Sequence, residues 1–83
     1  MANKRPAHND LYVSLGKVIS ERRRRLNLTQ DELAAESGVN RAFISNIEQG
    51  KRNPSIGALS SIAEGLRMRV SSLIAKSEAY TGK

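Results

Sequence analysis

The chain has 83 residues, with 14 Lys and Arg against 8 acids and a formal net charge of +6 at pH 7, a length that suits one small domain and leaves no room for a second. It has no cysteine, no tryptophan and only 4% aromatic residues, which excludes disulfides, thiolate nucleophiles and thiolate metal sites and requires a core of Leu, Ile, Val and Ala. No apolar run approaches the roughly 20 residues of a membrane span and the N-terminus lacks the apolar stretch of a signal peptide, so a cytoplasmic protein with no membrane partner is expected.

The charge points to a class of partner. A pI near 10.3 is the electrostatic footprint of a nucleic-acid binder, although the same excess of charge suits anionic membranes or acidic proteins. Residues 1–9 are polar, contain Pro6 and show no apolar period, which predicts a flexible N-terminal arm. Lys4 and Arg5 are the arm's candidates for phosphate, with a solvated tail as the plainer reading. His8, the single histidine, lies in that arm without partners, so neither a metal site nor general-base catalysis is expected of it.

Asp10 reads as the cap of a first helix over about 11–26, whose inner stripe is Leu11, Leu15, Val18, Ile19 and Leu26. Asn27 suits a left-handed terminating residue that feeds Leu28 towards the core. The run Arg22 to Arg25 complements the negative end of the helix dipole but spreads around a full turn, so its members do different things. Arg23, four residues beyond Ile19 and three before Leu26, points inward; Arg22, Arg24 and Arg25 are expected on the surface.

Thr29 followed three residues later by Glu32 is a capping box, which starts a second helix over 30–37 with Leu33 and Ala34 on its inner side. Gly38 marks a turn through positive φ, and Asn40 caps a third helix over 40–49. In that helix Phe43, Ile44 and Ile47 share the apolar face, while Arg41, Ala42, Ser45, Asn46 and Gln49 share a slim polar one. Gly50 closes it, and Lys51, Arg52 and Asn53 form a basic connection. Ser55 caps a fourth helix over 56–66 with Ile56, Leu59, Ile62, Ala63 and Leu66 inside. Val70, Leu73 and Ile74 form a short stripe on a fifth helix over about 71–76, followed by a flexible tail over 77–83.

The spacing of Leu33, Ala34, Gly38, Val39, Ile44 and Ile47, continued by Glu48-Gln49-Gly50-Lys51-Arg52-Asn53-Pro54-Ser55, resembles the Cro/C1-type (XRE) helix-turn-helix family of DNA-binding regulators across about residues 13 to 75. The resemblance implies an all-α, compact, five-helix lambda-repressor-like domain over 10–76 that binds a palindromic operator in double-stranded DNA as a homodimer and inserts helix 40–49 in the major groove. Candidate base contacts are then Asn40, Arg41, Ala42, Ser45 and Asn46. Arg41 suits guanine O6 and N7, Asn46 or Asn40 suits adenine, and Ala42 suits a thymine methyl; for Asn40, cap and contact carry equal weight. Gln30, Gln49, Lys51, Arg52 and Asn53 are the expected phosphate contacts, which position the helix without reading sequence. The family's structural ion pair falls here on Arg23 and Glu48, and its dimer interface on the last helix, at Val70, Leu73 and Ile74. Two departures stand out: Ser37 replaces a more apolar residue before the turn glycine, and Arg67, Met68 and Arg69 replace a Gly, an apolar residue and a Ser or Thr cap.

The function implied is transcriptional regulation by occupying DNA, blocking RNA polymerase as a repressor or touching it as an activator, with no cofactor, metal or enzymatic step. Phage repressors, restriction-modification controller proteins and antitoxins share this build. Two rivals belong to other classes. A protein-interaction module with basic tails predicts that Arg41 and Asn46 are dispensable, and a membrane-surface binder is disfavoured because the arginines do not oppose one continuous apolar face.

Overall fold

The computed structural model describes residues 8–80; these form five helices with no strand among them. They are α1 (His8–Arg25), α2 (Gln30–Ser37), α3 (Arg41–Glu48), α4 (Ile56–Gly65) and α5 (Val70–Ala79). The proposed contacts of Lys4 and Arg5 lie outside the described residues.

The local chemistry that starts and stops each helix is visible. The Thr29 hydroxyl accepts from the Glu32 amide at 3.0 Å while the Glu32 carboxylate accepts from the Thr29 amide at 2.8 Å, so two orphan donors of α2 are satisfied reciprocally. Gly38 ends α2 at φ 71 and its amide donates to the Ala34 carbonyl. Asn40 and Ser55 cap α3 and α4 by accepting from the amides of Phe43 and Ala58. Asn27 takes φ 60, a region Asn visits more cheaply than most residues, and ends α1.

Every helix contributes to one core: Leu15, Val18 and Ile19 from α1, Leu33 from α2, Ile44 and Ile47 from α3, Leu59, Ile62 and Ala63 from α4 with Leu66 just beyond it, and Leu73 from α5. Burying each such Leu, Ile or Val contributes about 1.5–3 kcal/mol. α1 lies against α3 and α5, α2 against α3 and α4, and α4 against α5. The approach of α1 to α3 is unusually close. A Cβ at Gly16 would lie 2.3 Å from the Ile47 carbonyl oxygen and 2.7 Å from that of Glu48, so only glycine lets the helices touch there.

Several expectations need correction. α1 begins at His8, so Asp10 sits inside its first turn, where an acid suits the helix dipole without capping. Leu11 and Ile56 were expected inside but are 37% and 68% exposed, because each lies in the first turn of its helix, at the edge of the bundle. Arg22 is half-buried: its Nε donates to the Leu66 carbonyl at 2.9 Å and its Nη2 to that of Arg67 at 3.3 Å. It therefore satisfies orphan carbonyls at the end of α4. Ser37, the polar departure before the turn glycine, is satisfied locally: its hydroxyl donates to the Leu33 carbonyl at 2.7 Å and accepts from the Val39 amide at 3.3 Å, and its small side chain admits Gly65 of α4.

The irregular sequence after α4 resolves simply. Arg67 adopts φ 60 and the Met68 amide closes back to the Ala63 carbonyl at 3.0 Å, so arginine occupies the left-handed position that glycine takes more cheaply. α5 then starts at Val70 without a side-chain cap and runs to Ala79, three residues past Lys76. Ser77 is buried and bonded to the Leu73 carbonyl, and the Tyr80 hydroxyl donates to Glu21 at 3.0 Å. Residues 77–80 thus hold the end of α5 against α1.

Candidate nucleic-acid interface

The interface is built outward from a buried ion pair. Arg23 is 9% exposed; its Nε and Nη2 donate to the two Glu48 carboxylate oxygens at 2.7 and 3.0 Å, and its Nη1 donates to the Leu28 carbonyl at 2.7 Å. The bidentate geometry fixes both partners. The bond to Glu48 is the main reason the Arg23 pKa is raised above its ordinary value, with burial opposing and the carboxylate's charge adding to the rise. Gln30 Nε2 donates to Glu48 Oε1 at 3.0 Å, so the end of α1, the start of α2 and the end of α3 meet on one carboxylate. One amide proton of Gln30 is used there and the other is left for a ligand.

α3 projects its polar residues from this base. Arg41 and Ala42 are exposed, Ser45 and Asn46 half-buried, and Asn40 sits at the N-cap. The Asn40 side-chain oxygen Oδ1 accepts from the Phe43 amide at 3.2 Å, which fixes its capping role and leaves its NH₂ outward. Arg41 Nε lies 3.4 Å from Asp31 Oδ1, with side chains 60% and 80% exposed. Gln49 Nε2 donates to the Ser45 hydroxyl at 3.1 Å. At the far end Gly50 turns through φ 74, packed so closely on Val13 that a Cβ would lie 2.9 Å from its methyl, and Lys51, Arg52 and Asn53 emerge exposed. The Arg52 guanidinium sits 5.1 Å from the centre of the Phe43 ring, within cation–π range.

The expected dimer residues separate. Val70 and Ile74 are half-buried, whereas Leu73 is completely buried within the single chain. Leu73 is therefore a core residue with no surface to offer a partner, a correction that follows from its place on the inward side of α5. Gly16, the Asp31–Arg41 contact and the Phe43–Arg52 stack were missed in the sequence. Only Gly16 left a signal, as a glycine inside an otherwise strong helical pattern. Among the described residues, no group of three or more His, Asp or Glu is arranged to hold a metal, and no helix is long and apolar enough to cross a membrane.

With this geometry in view, a model of the helix-turn-helix family matches residues 19–73. The chain belongs to the Cro/C1-type (XRE) helix-turn-helix family of transcriptional regulators. Control protein C.MunI from Mycoplasma sp is 34% identical over 71 residues, covering 84% of this chain and 96% of that protein. The restriction-modification controller protein C.AhdI from Aeromonas hydrophila superposes with a TM-score of 0.72 at 31% identity, covering 75% of this chain and 94% of that one. A controller protein C.Esp1396I, solved as a tetramer with its natural 35 base-pair operator, gives a TM-score of 0.74 at 30% identity, covering 84% and 96%. This helix-turn-helix protein thus has relatives of nearly its own length that are regulators.

Proposed function

We propose that the protein is a sequence-specific transcriptional regulator that binds an inverted-repeat operator as a homodimer, with α3 in the major groove. The observation that carries the reading is the pairing of a polar, narrow outer face on α3 with a cationic turn directly after it, both fixed to the scaffold through Glu48 and Gly50. A major groove admits one helix, and residues at its N-terminal end reach base edges. Arg41, Ala42, Ser45 and Asn46 are the base readers, joined by the outward NH₂ of Asn40. Gln30, Gln49, Lys51, Arg52 and Asn53 bind phosphate on either side.

Two copies are needed for affinity and symmetry. A two-fold axis sets the two α3 helices about 34 Å apart, one duplex turn. Val70 and Ile74 form part of the dimer face, extended by the apolar cleft that Leu11, Tyr12, Pro54, Leu59 and Ile74 line and by the exposed Ile56. The operator-bound assembly of C.Esp1396I supports operator binding by more than one copy. The protein works in the cytoplasm and acts by occupying DNA, either excluding RNA polymerase or contacting it, without catalysis.

The test is affinity for a duplex selected by the protein from random sequence, for the wild type and for Arg41→Ala and Asn46→Ala. Each variant is expected to lose about 1–3 kcal/mol of discrimination with an unchanged melting curve. Variants that bind the selected duplex as well as the wild type would remove Arg41 and Asn46 as base readers, and a wild type that selects no duplex would transfer the function to a protein-interaction module.

A further inference from the structure

The only phenylalanine of the chain is on the recognition helix, where it is half-buried rather than enclosed in the core. Around it runs a shallow hollow lined by Val39, Asn40, Ala42, Phe43, Asn46 and Arg52. Its lining combines hydrocarbon, from Val39, Ala42 and the Phe43 ring, with the side-chain amides of Asn40 and Asn46. Arg52 closes one side with its guanidinium 5.1 Å from the ring centre. Apolar surface beside the polar readers of α3 gains free energy when an apolar group of a ligand covers it.

We propose that this hollow receives the 5-methyl group of a thymine, which makes Phe43, Val39 and Arg52 specificity-determining residues in addition to the polar readers. The thymine methyl is the one apolar group that a base pair presents in the major groove. Asn46, which lines the same hollow, has the two-sided amide that matches adenine N6 and N7, so the apolar lining and this amide together favour an A·T pair. Arg52 then has two tasks: its charge faces phosphate while its stack on Phe43 holds the wall of the hollow upright. The inference rests on the regulator reading, and its test separates the two.

The probe is the duplex that the wild-type protein selects from random sequence, followed by versions in which each thymine is replaced singly by deoxyuridine, which removes only the methyl. At one thymine per half-site the expected loss is about four-fold, the value of one buried methyl-sized group, and about sixteen-fold when both half-sites are changed. Arg52→Ala weakens binding to both versions but also brings their ratio towards one, a change that a phosphate contact alone would not cause. Phe43→Leu, with its fold checked by a melting curve, shrinks the same ratio. A selected duplex in which no thymine responds to deoxyuridine overturns the hollow while leaving the regulator reading intact. An unchanged ratio in Arg52→Ala removes Arg52 from it. Failure to select any duplex overturns both.

Discussion

Replacing Gly16 by alanine sets two opposing effects against each other. In a solvent-exposed helix interior, Gly→Ala stabilises by about 0.5–1 kcal/mol, because glycine gives up more backbone freedom on folding. At Gly16 the added Cβ falls 2.3 Å from the Ile47 carbonyl oxygen, 2.7 Å from the Glu48 carbonyl oxygen and 2.9 Å from the Glu48 carbonyl carbon. These are backbone atoms at the end of α3 and cannot rotate away, so α1 has to move off by about an ångström. Overpacking of this kind typically costs about 1–3 kcal/mol, occasionally more, and here the shift also strains the Arg23–Glu48 pair and the Gly50–Val13 contact. The packing term wins, and Gly16→Ala is expected to lose about 2 kcal/mol. For a domain of this size that lowers the melting temperature by about 8–16 °C. Gly57→Ala is the internal control: its nearest neighbour is the Ser55 hydroxyl at 3.9 Å, so it should be neutral or stabilising by up to about 0.5 kcal/mol. Urea and thermal unfolding followed by circular dichroism measure both. A Gly16→Ala protein as stable as the wild type would refute the close approach of α1 to α3.

Two ion pairs of different burial make a second contrast. Glu48→Ala leaves the Arg23 guanidinium buried with only the Leu28 carbonyl, at a cost of about 3–5 kcal/mol, whereas Arg23→Met with Glu48→Met together should recover most of that loss; denaturant midpoints decide. Asp31→Asn breaks only an exposed pair, and its stability change should stay within about 0.5 kcal/mol in the same assay. Arg67→Gly relieves a non-glycine left-handed residue worth about 1–2 kcal/mol against about 0.4–1 kcal/mol of added unfolded-chain freedom, so a rise in melting temperature is expected. The Tyr80 hydroxyl bond to Glu21 raises the phenol's pKa above its usual 10.0. Its contribution is therefore full below pH 10 and fades as pH climbs through the raised value, so Tyr80→Phe should show a shallower alkaline loss of stability than the wild type.

The parts legible in the sequence were those governed by local rules. Thr29, Glu32, Gly38, Asn40 and Ser55 act through their own backbone neighbours, and the structure finds each in the expected cap or turn. The apolar period correctly selected Leu15, Ile19, Leu33, Ile44, Ile47 and Ile62, but it also selected Leu11 and Ile56, since periodicity does not say where the bundle ends. The apolar stripe ends α5 near Lys76, whereas the helix runs to Ala79 and is followed by a tertiary bond from Tyr80 to Glu21, separated by 59 residues, which no local pattern reveals. The same holds for Arg22, whose partner carbonyls at Leu66 and Arg67 lie in the turn after α4, distant in sequence. The inward direction of Arg23 followed from spacing, while Glu48 as its partner came only from the family resemblance. No one-dimensional rule brings Arg52 back over Phe43.

The most direct test of the account is titration of the pure protein against a duplex from upstream of its own coding region and against a scrambled duplex, at about 50 and about 200 mM salt. A regulator reading bases through α3 should prefer the native duplex by about 10³-fold or more. With Lys51 and Arg52 from each of two copies on phosphate, the logarithm of affinity should fall with that of salt at a slope of about −3.6 or steeper. Equal, weak binding to both duplexes would contradict the account and reduce the +6 charge to a general affinity for polyanions.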